Sequence, residues 1–156
     1  PAVRIKWPND LLVNGRKIGG ILCESAWDGR QLGHVVVGIG LNLLHGEEDF
    51  PVELRPVATS LRLVAGRPVA CYEVAEAVVA MVQRSLSIDL DAVAGQLASR
   101  DALVGRRIDV LESETGALLL SGRALGIAGD GALLVDTGSE RREVRSGTIR
   151  VIDAGR

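Results

Sequence analysis

KWPNDLLVNGRKIGGIL, residues 6–22, is the stretch from which the fold is read. A strand entering from Val3 halts at Pro8, because proline brings no ladder donor and holds Trp7 extended. Residues 11–13 resume an apolar run. Asn14-Gly15 supplies the left-handed pair that a two-residue type I′ turn requires, and residues 17–23 return as the second strand of a hairpin. Gly19-Gly20 in that return strand is costly as structure alone, since glycine weakens a strand and packs nothing. Paired glycines there mark a close approach by another backbone or by a ligand. Two cations, Lys6 and Lys17, flank the hairpin signal, and Pro8-Asn9-Asp10 sets an amide and a carboxylate between them. A cation, two bare peptide units and that turn suit an anionic ligand.

Working outward, Trp27-Asp28-Gly29-Arg30 reads as a turn. Residues 34–44 form a β-branched apolar run, which predicts a central buried strand. Gly38 and Gly40 interrupt it. They mark either tight packing or a surface on which a flat ligand lies, and GIG lacks the third glycine and the helix of a dinucleotide fingerprint. Asn42 ends the run with an amide that needs a partner if buried. Residues 45–58 are an acidic, proline-bearing loop, and Thr59-Ser60-Leu61 opens a helix with Thr59 or Ser60 as N-cap. Val74, Ala77, Val78, Met81, Val82 and Leu86 recur at helical spacing and predict an amphipathic helix packed on the sheet. A shorter helix follows over 89–99, with Leu90, Val93, Ala94 and Leu97 inward. From Leu103 the period changes to that of strands, with turns at Glu114-Thr115-Gly116, Asp130-Gly131 and Thr137-Gly138-Ser139. Five short strands at close spacing predict a small SH3-like barrel after a linker near Arg100-Asp101.

The 156 residues allow one ordinary domain, or one domain and a small appendage. With 47% apolar and 24% charged residues and net charge −2, a core can form and no basic excess points to nucleic acid. Arg106, Arg107, Arg141, Arg142 and Arg145 interleave with acidic residues, which reads as a solvated mixed surface. Cys23 and Cys71 sit in apolar contexts and read as reduced core residues, in keeping with a cytoplasmic protein. His34 and His45 lack the partner spacing of a metal site. No apolar run reaches the length of a spanning helix, and no signal-peptide pattern opens the sequence.

KWPNDLLV followed by RKIGGIL, with VVVGIGLNL at residues 35–43 and a β-rich close, resembles the biotin protein ligases, which attach biotin to carboxylase carrier domains. The resemblance covers nearly the whole chain, and it is the combination of motifs that is specific. It implies an α+β fold: residues 1–101 as the C-terminal portion of a ligase catalytic domain, a mixed sheet with packed helices like that of class II aminoacyl-tRNA synthetases, and residues 102–156 as an SH3-like β-barrel. It implies ATP, biotin and Mg²⁺ as cofactors, and the lysine of a biotin carboxyl carrier protein as acceptor. Biotin would be activated to biotinyl-5′-AMP and then transferred.

On that carry-over Lys17, the lysine of KIGGIL, is the central cation, and Asp10 orients or deprotonates the incoming amine. Lys17, Gly20, Ile21 and Gly38 line biotin. Lys6, Asn9 and Asn42 lie at the ATP end, and Asp10 is also the metal contact. Trp7 either walls the pocket or is a buried structural residue. The family's upstream GRGRRGR-type loop and its DNA-binding helix-turn-helix do not occur in these residues. The expectation is therefore the C-terminal part of a ligase, incomplete at its N-terminus, with exposed sheet edges, poor activity alone and a possible homodimer. A lipoate-ligase-type acyl-adenylate enzyme, a non-catalytic binding module and an inactive fragment are the alternatives.

Overall fold

The computed structural model of the protein describes residues 2–152. Among them the elements run β1 (Val3–Lys6), β2 (Asp10–Val13), β3 (Arg16–Asp28), β4 (Gln31–Leu41), α1 (Leu61–Ala65), α2 (Cys71–Ser85) and α3 (Leu90–Arg100). Strands β5 (Arg107–Leu111), β6 (Leu118–Ile127), β7 (Leu133–Asp136), β8 (Arg141–Val144) and β9 (Thr148–Val151) follow. Pro1 and residues 153–156, the outer ends of the two expected segments, lie outside the described residues, as does the Leu90 side chain. The fold is α+β with two antiparallel sheets. The chain gathers into two compact units, one built on residues 9–83 and one that joins residues 4–8 to the chain from Arg84 onward.

In the first unit β2, β3 and β4 stand side by side, each antiparallel to the next. Asn14 and Gly15 close the first hairpin at φ 51° and 76°, the left-handed pair that Asn-Gly predicts. Gly29, at φ 60°, turns the second hairpin, whose arms are longer than the punctuation implied: Trp27 and Asp28 are still strand.

Three expectations fail in this unit. First, β4 is the edge strand of its sheet, and Val35, Val36 and Val37 remain 49%, 52% and 46% exposed. A β-branched run suffices to make a strand, but burying it takes a layer on each face. Second, Cys23 and Cys71 are free, as expected, yet both are exposed and not in the core. Cys23 shares the uncovered length of β3, and Cys71 is the first residue of α2. Third, α2 is not packed tightly on the sheet. Its Val74, Val78 and Val82 line an open apolar cleft of about 480 Å³, across which lie Val37, Ile39 and Leu41 of β4. Met81, expected inward, is exposed, and so is Leu86 just beyond the helix. The helical stripe is there, but the side chains of this unit do not fill the space it faces.

The second unit carries the buried core. Its five strands lie in the order β8-β7-β6-β5-β9. Leu103, Ile108, Val110, Leu133, Val135 and Ile149 interlock beneath them, each 3% exposed or less. Trp7 belongs to this core, and its indole N–H donates to the Gly131 carbonyl at 2.9 Å, so it is the structural tryptophan of the two readings. Ala102 donates to the Ile5 carbonyl at 2.8 Å, and Arg4 donates to the Asp101 carbonyl at 2.6 Å. Among the described residues β8 and β9 are the two ends of the sheet and do not pair with each other, so it is open and not a closed barrel. Arg142 pairs with Glu140, and Arg145 with Asp130 and Glu143, the mixed charged surface expected.

Candidate active site

The geometry of the site begins with one irregular residue. Along β2 and β3 the partners are Asp10 with Gly20 and Leu11 with Gly19, but then Leu12 with Lys17, so Ile18 is the extra residue of a β-bulge. Side chains alternate along a strand, and without the bulge Lys17 would share the face of Gly19 and Ile21. The skipped residue moves it to the opposite face, with Leu12, Asp10 and Gly20. There its ammonium forms an ion pair with the Asp10 carboxylate, a pair left half-exposed on the lysine side. Ile18 itself is buried.

The same face continues onto β4. Gly20 lies opposite Gly40, and Leu22 opposite Gly38. A Cβ at Gly40 would meet nothing, and one at Gly38 would make only ordinary contact with the Leu22 carbonyl. Neither glycine is demanded by the packing of this chain, so together they leave an open shelf of bare backbone beside Lys17. Gly19 is different: a Cβ there would collide with the Gly40 carbonyl oxygen. The first glycine of the pair serves the fold. The second, Gly20, sits under the Asn9 carbonyl and next to the Asp10 carboxylate.

The structure thus brings Asp10, Lys17, Gly20 and Gly38 to one face of the sheet. Ile21 is not among them: it pairs with Ile39, a residue of the cleft beside α2, so its side chain stands on the other face. What it gives the site is its backbone N–H, donated to the Asn9 carbonyl at 2.9 Å, which holds the Pro8-Asn9-Asp10 turn against β3. Asn9 is exposed. Lys6 ends β1, half-buried, and belongs to the second unit. Asn42 finds the partner that its half-buried amide needs: its Nδ2 donates to the Thr59 carbonyl at 3.0 Å. Sequence reasoning offered Gly38 and Gly40 as either tight packing or a surface for a flat ligand, and it missed Leu22 as a residue of the shelf. Counting in twos from Gly20 would have found it.

Among the described residues no three of His, Cys, Asp and Glu come together as a metal site. Asp10 offers a single carboxylate, which suits a magnesium ion only where phosphate oxygens and water supply the remaining ligands. No helix of the described residues is long and apolar enough to cross a membrane.

Residues 2–42 match the Biotin/lipoate A/B protein ligase family, and residues 103–152 match the Biotin protein ligase C terminal domain. Among curated relatives, the Bifunctional ligase/repressor BirA of Bacillus subtilis is 46% identical over 65 residues, 42% of this chain and 20% of that protein. The Biotin--[acetyl-CoA-carboxylase] ligase of Paracoccus denitrificans is 51% identical over 55 residues, 34% of this chain and 23% of that one. The aligned region thus spans about a fifth of the length of these relatives. In fold the chain is similar to the biotin protein ligase from Aquifex aeolicus in complex with biotin and ATP, with a TM-score of 0.76, 24% identity and coverage of 97% of this chain and 62% of that one. Two family models that between them match more than half of the chain, one on the motif strands and one on the C-terminal sheet, agree with the motifs and the fold: the chain belongs to the biotin protein ligase family.

Proposed function

We propose that this chain carries the Lys17 side of a site that activates biotin with ATP to biotinyl-5′-AMP and passes the biotinyl group to a lysine of a biotin carboxyl carrier protein. The observation that carries the reading is the bulge at Ile18, which sets Lys17 beside Asp10 over the shelf of Gly20, Gly38 and Gly40. In the first step a biotin carboxylate oxygen attacks the α-phosphorus of ATP and the bond to the β-phosphate oxygen breaks, releasing pyrophosphate. Two anions must meet, and a fixed ammonium between them lowers that barrier more than it stabilises either reactant alone. In the second step the carrier amine attacks the acyl carbon, the carbon–oxygen bond to AMP breaks, and the amine proton must leave. Asp10 is the nearby carboxylate that orients that amine or takes its proton.

The remaining assignments follow the same reading. The flat rings of biotin lie on the bare backbone of Gly20, Gly38 and Gly40 against Leu22. Lys6, Asn9 and Asn42 serve the nucleotide, Asn42 through its amide oxygen since its Nδ2 is committed to Thr59. Asp10 would be the carboxylate that meets a magnesium ion arriving on the phosphates. Residues 1–101 are the catalytic portion, and residues 102–156 are an SH3-like module whose five-stranded sheet is open. The setting is cytoplasmic, and a homodimer is compatible with the exposed β4 edge.

The test is calorimetric titration of biotinyl-5′-AMP into the chain and into Lys17→Ala. Saturable binding that weakens at least a hundredfold in the variant is expected. Equal binding by both proteins, or tighter binding of lipoyl-5′-AMP, would overturn the reading in favour of a non-catalytic module or a lipoate-type enzyme.

A further inference from the structure

At Lys17 the outer partner of β3 changes. From Gly19 to Asp28 that partner is β4, which has ended by Leu41, and Asn42 makes the last link by donating its N–H to the Ile18 carbonyl at 2.8 Å. The outer backbone groups of Lys17 are instead held by a returning segment. Lys17 N–H donates to the Val57 carbonyl at 2.7 Å, and Thr59 N–H donates to the Lys17 carbonyl at 2.8 Å, a parallel bridge centred on Ala58. Residues 57–59 thus form a strap across the one position of β3 that carries the proposed cation.

The strap is itself fastened from behind. The Asn42 amide donates to the Thr59 carbonyl, and Leu61 N–H donates to the Asn42 carbonyl at 2.8 Å. Ser60 is the fastener: its hydroxyl donates to the His45 carbonyl at 2.5 Å and accepts from Leu63 N–H at 3.2 Å. One hydroxyl so joins the start of the loop that leaves β4 to the helix that ends it. Thr59 and Ser60 are fully buried, and among the described residues they are the only buried polar side chains of this unit.

We propose that Ser60 is a positioning residue for Lys17, acting through the strap. The inference rests on the reading of Lys17 as the central cation. A one-residue slip of a strand carries its side chains to the opposite face, so the direction of Lys17 depends on the Ile18 bulge staying in register. β2 fixes that register from one side and the strap from the other. The ion pair with Asp10 cannot fix it alone, because an exposed pair is weak and the lysine stem is flexible. The precision comes from the backbone, and Ser60 holds the backbone.

Two readouts on Ser60→Ala test this. Amide hydrogen exchange should show protection at Lys17 and Thr59 falling at least tenfold, with Glu24 and Val36, a hydrogen-bonded pair further along β3 and β4, unchanged. In a double-mutant cycle on biotinyl-5′-AMP binding, Ser60→Ala should weaken affinity about tenfold in the wild-type background and by less than twofold in the Lys17→Ala background. Unchanged exchange at Lys17 overturns the proposal, and so does an equal loss in both backgrounds, which would make Ser60 structural only. If Ser60→Ala loses protection throughout, Ser60→Cys, close in volume with weaker hydrogen bonds, is judged by the same criteria. A wild-type chain that does not bind the adenylate sinks the proposed function, and exchange at Lys17 then decides the strap by itself.

Discussion

The long arms of β3 and β4 and the strands of the C-terminal sheet are written in the same alphabet, valine, isoleucine and leucine with glycine between, and end in opposite states. Leu133 and Val135 of β7 are fully buried, whereas Val35, Val36 and Val37 of β4 stay about half exposed. The difference lies not in the residues but in what packs on them. The C-terminal sheet brings its own core, to which Trp7, Leu103 and residues of all five strands contribute. The β3–β4 arms bring glycines and an edge. One region uses its apolar residues for stability, and the other keeps a surface.

The largest expected effect tests that division directly. Leu133→Ala removes a fully buried side chain from a packed core and should cost about 2–5 kcal/mol. Val36→Ala should stay within about 0.5 kcal/mol, as exposed substitutions do. Urea unfolding of the two variants measures both. Equal losses would mean that the β4 arm is buried in solution and that the contrast is false.

The glycines allow a finer cut within one hairpin. Gly19→Ala drives a methyl into the Gly40 carbonyl and should cost about 1–3 kcal/mol, in line with overpacking. Gly40→Ala has open space and should leave the unfolding midpoint where it is. If the shelf holds biotin, Gly40→Ala should nevertheless weaken adenylate binding about tenfold, read in the same titration as Lys17→Ala. A Gly40→Ala chain that binds normally would remove the shelf from the site.

How much of this is legible in the sequence follows from the range of the forces concerned. Asn14-Gly15 and Pro8 are local signals, and each marks the boundary that the structure shows; the period change at Leu103 is local too, although the strand it announces opens only at Arg107. Ser60 as N-cap is legible for the same reason. The placement of Lys17 is not, because a bulge at Ile18 is decided by pairing with β2 and by a strap far downstream in the chain, about which neighbouring letters say nothing. Burial fails too: Cys23, Met81 and the β4 valines are apolar in pattern, and pattern cannot reveal whether a second layer covers them. The motif assigns Ile21 to the biotin site, and alternation along β3 puts its side chain on the other face.

Two aspartates of the second unit sharpen the comparison at a smaller scale, since their surroundings push them in opposite directions. Burial raises the Asp101 carboxyl above the usual carboxylate range, against the opposing pull of the Leu103 N–H and the Arg4 guanidinium. The Ser121 hydroxyl, with Arg150 beside it, holds Asp109 below that range. A carboxyl raised on folding adds stability below its unfolded pKa and loses it as pH rises through the folded value. One lowered on folding adds stability above its unfolded pKa and loses it as pH falls through the folded value. Asp101→Asn should therefore help the fold more at pH 7 than at pH 3, and Asp109→Asn should harm it more at pH 7 than at pH 3. Thermal unfolding across that range reads both, and parallel pH dependence in the two variants would contradict the assigned causes.

The smallest effect returns to the open arms, and it needs no substitution. Cys23 and Cys71 are both free and exposed, so an aromatic disulfide reagent should titrate two thiols in the native protein at rates close to those of the unfolded chain. Cys23 lies opposite Val37, on the face that borders the α2 cleft, while Lys17 and the shelf occupy the other face. Saturating biotinyl-5′-AMP should therefore leave the Cys23 rate within about twofold, because a ligand on one face of a strand does not cover the side chains of the other. Strong protection of Cys23 by the adenylate would place the ligand on the cleft face and would mean that the register read from the Ile18 bulge is wrong.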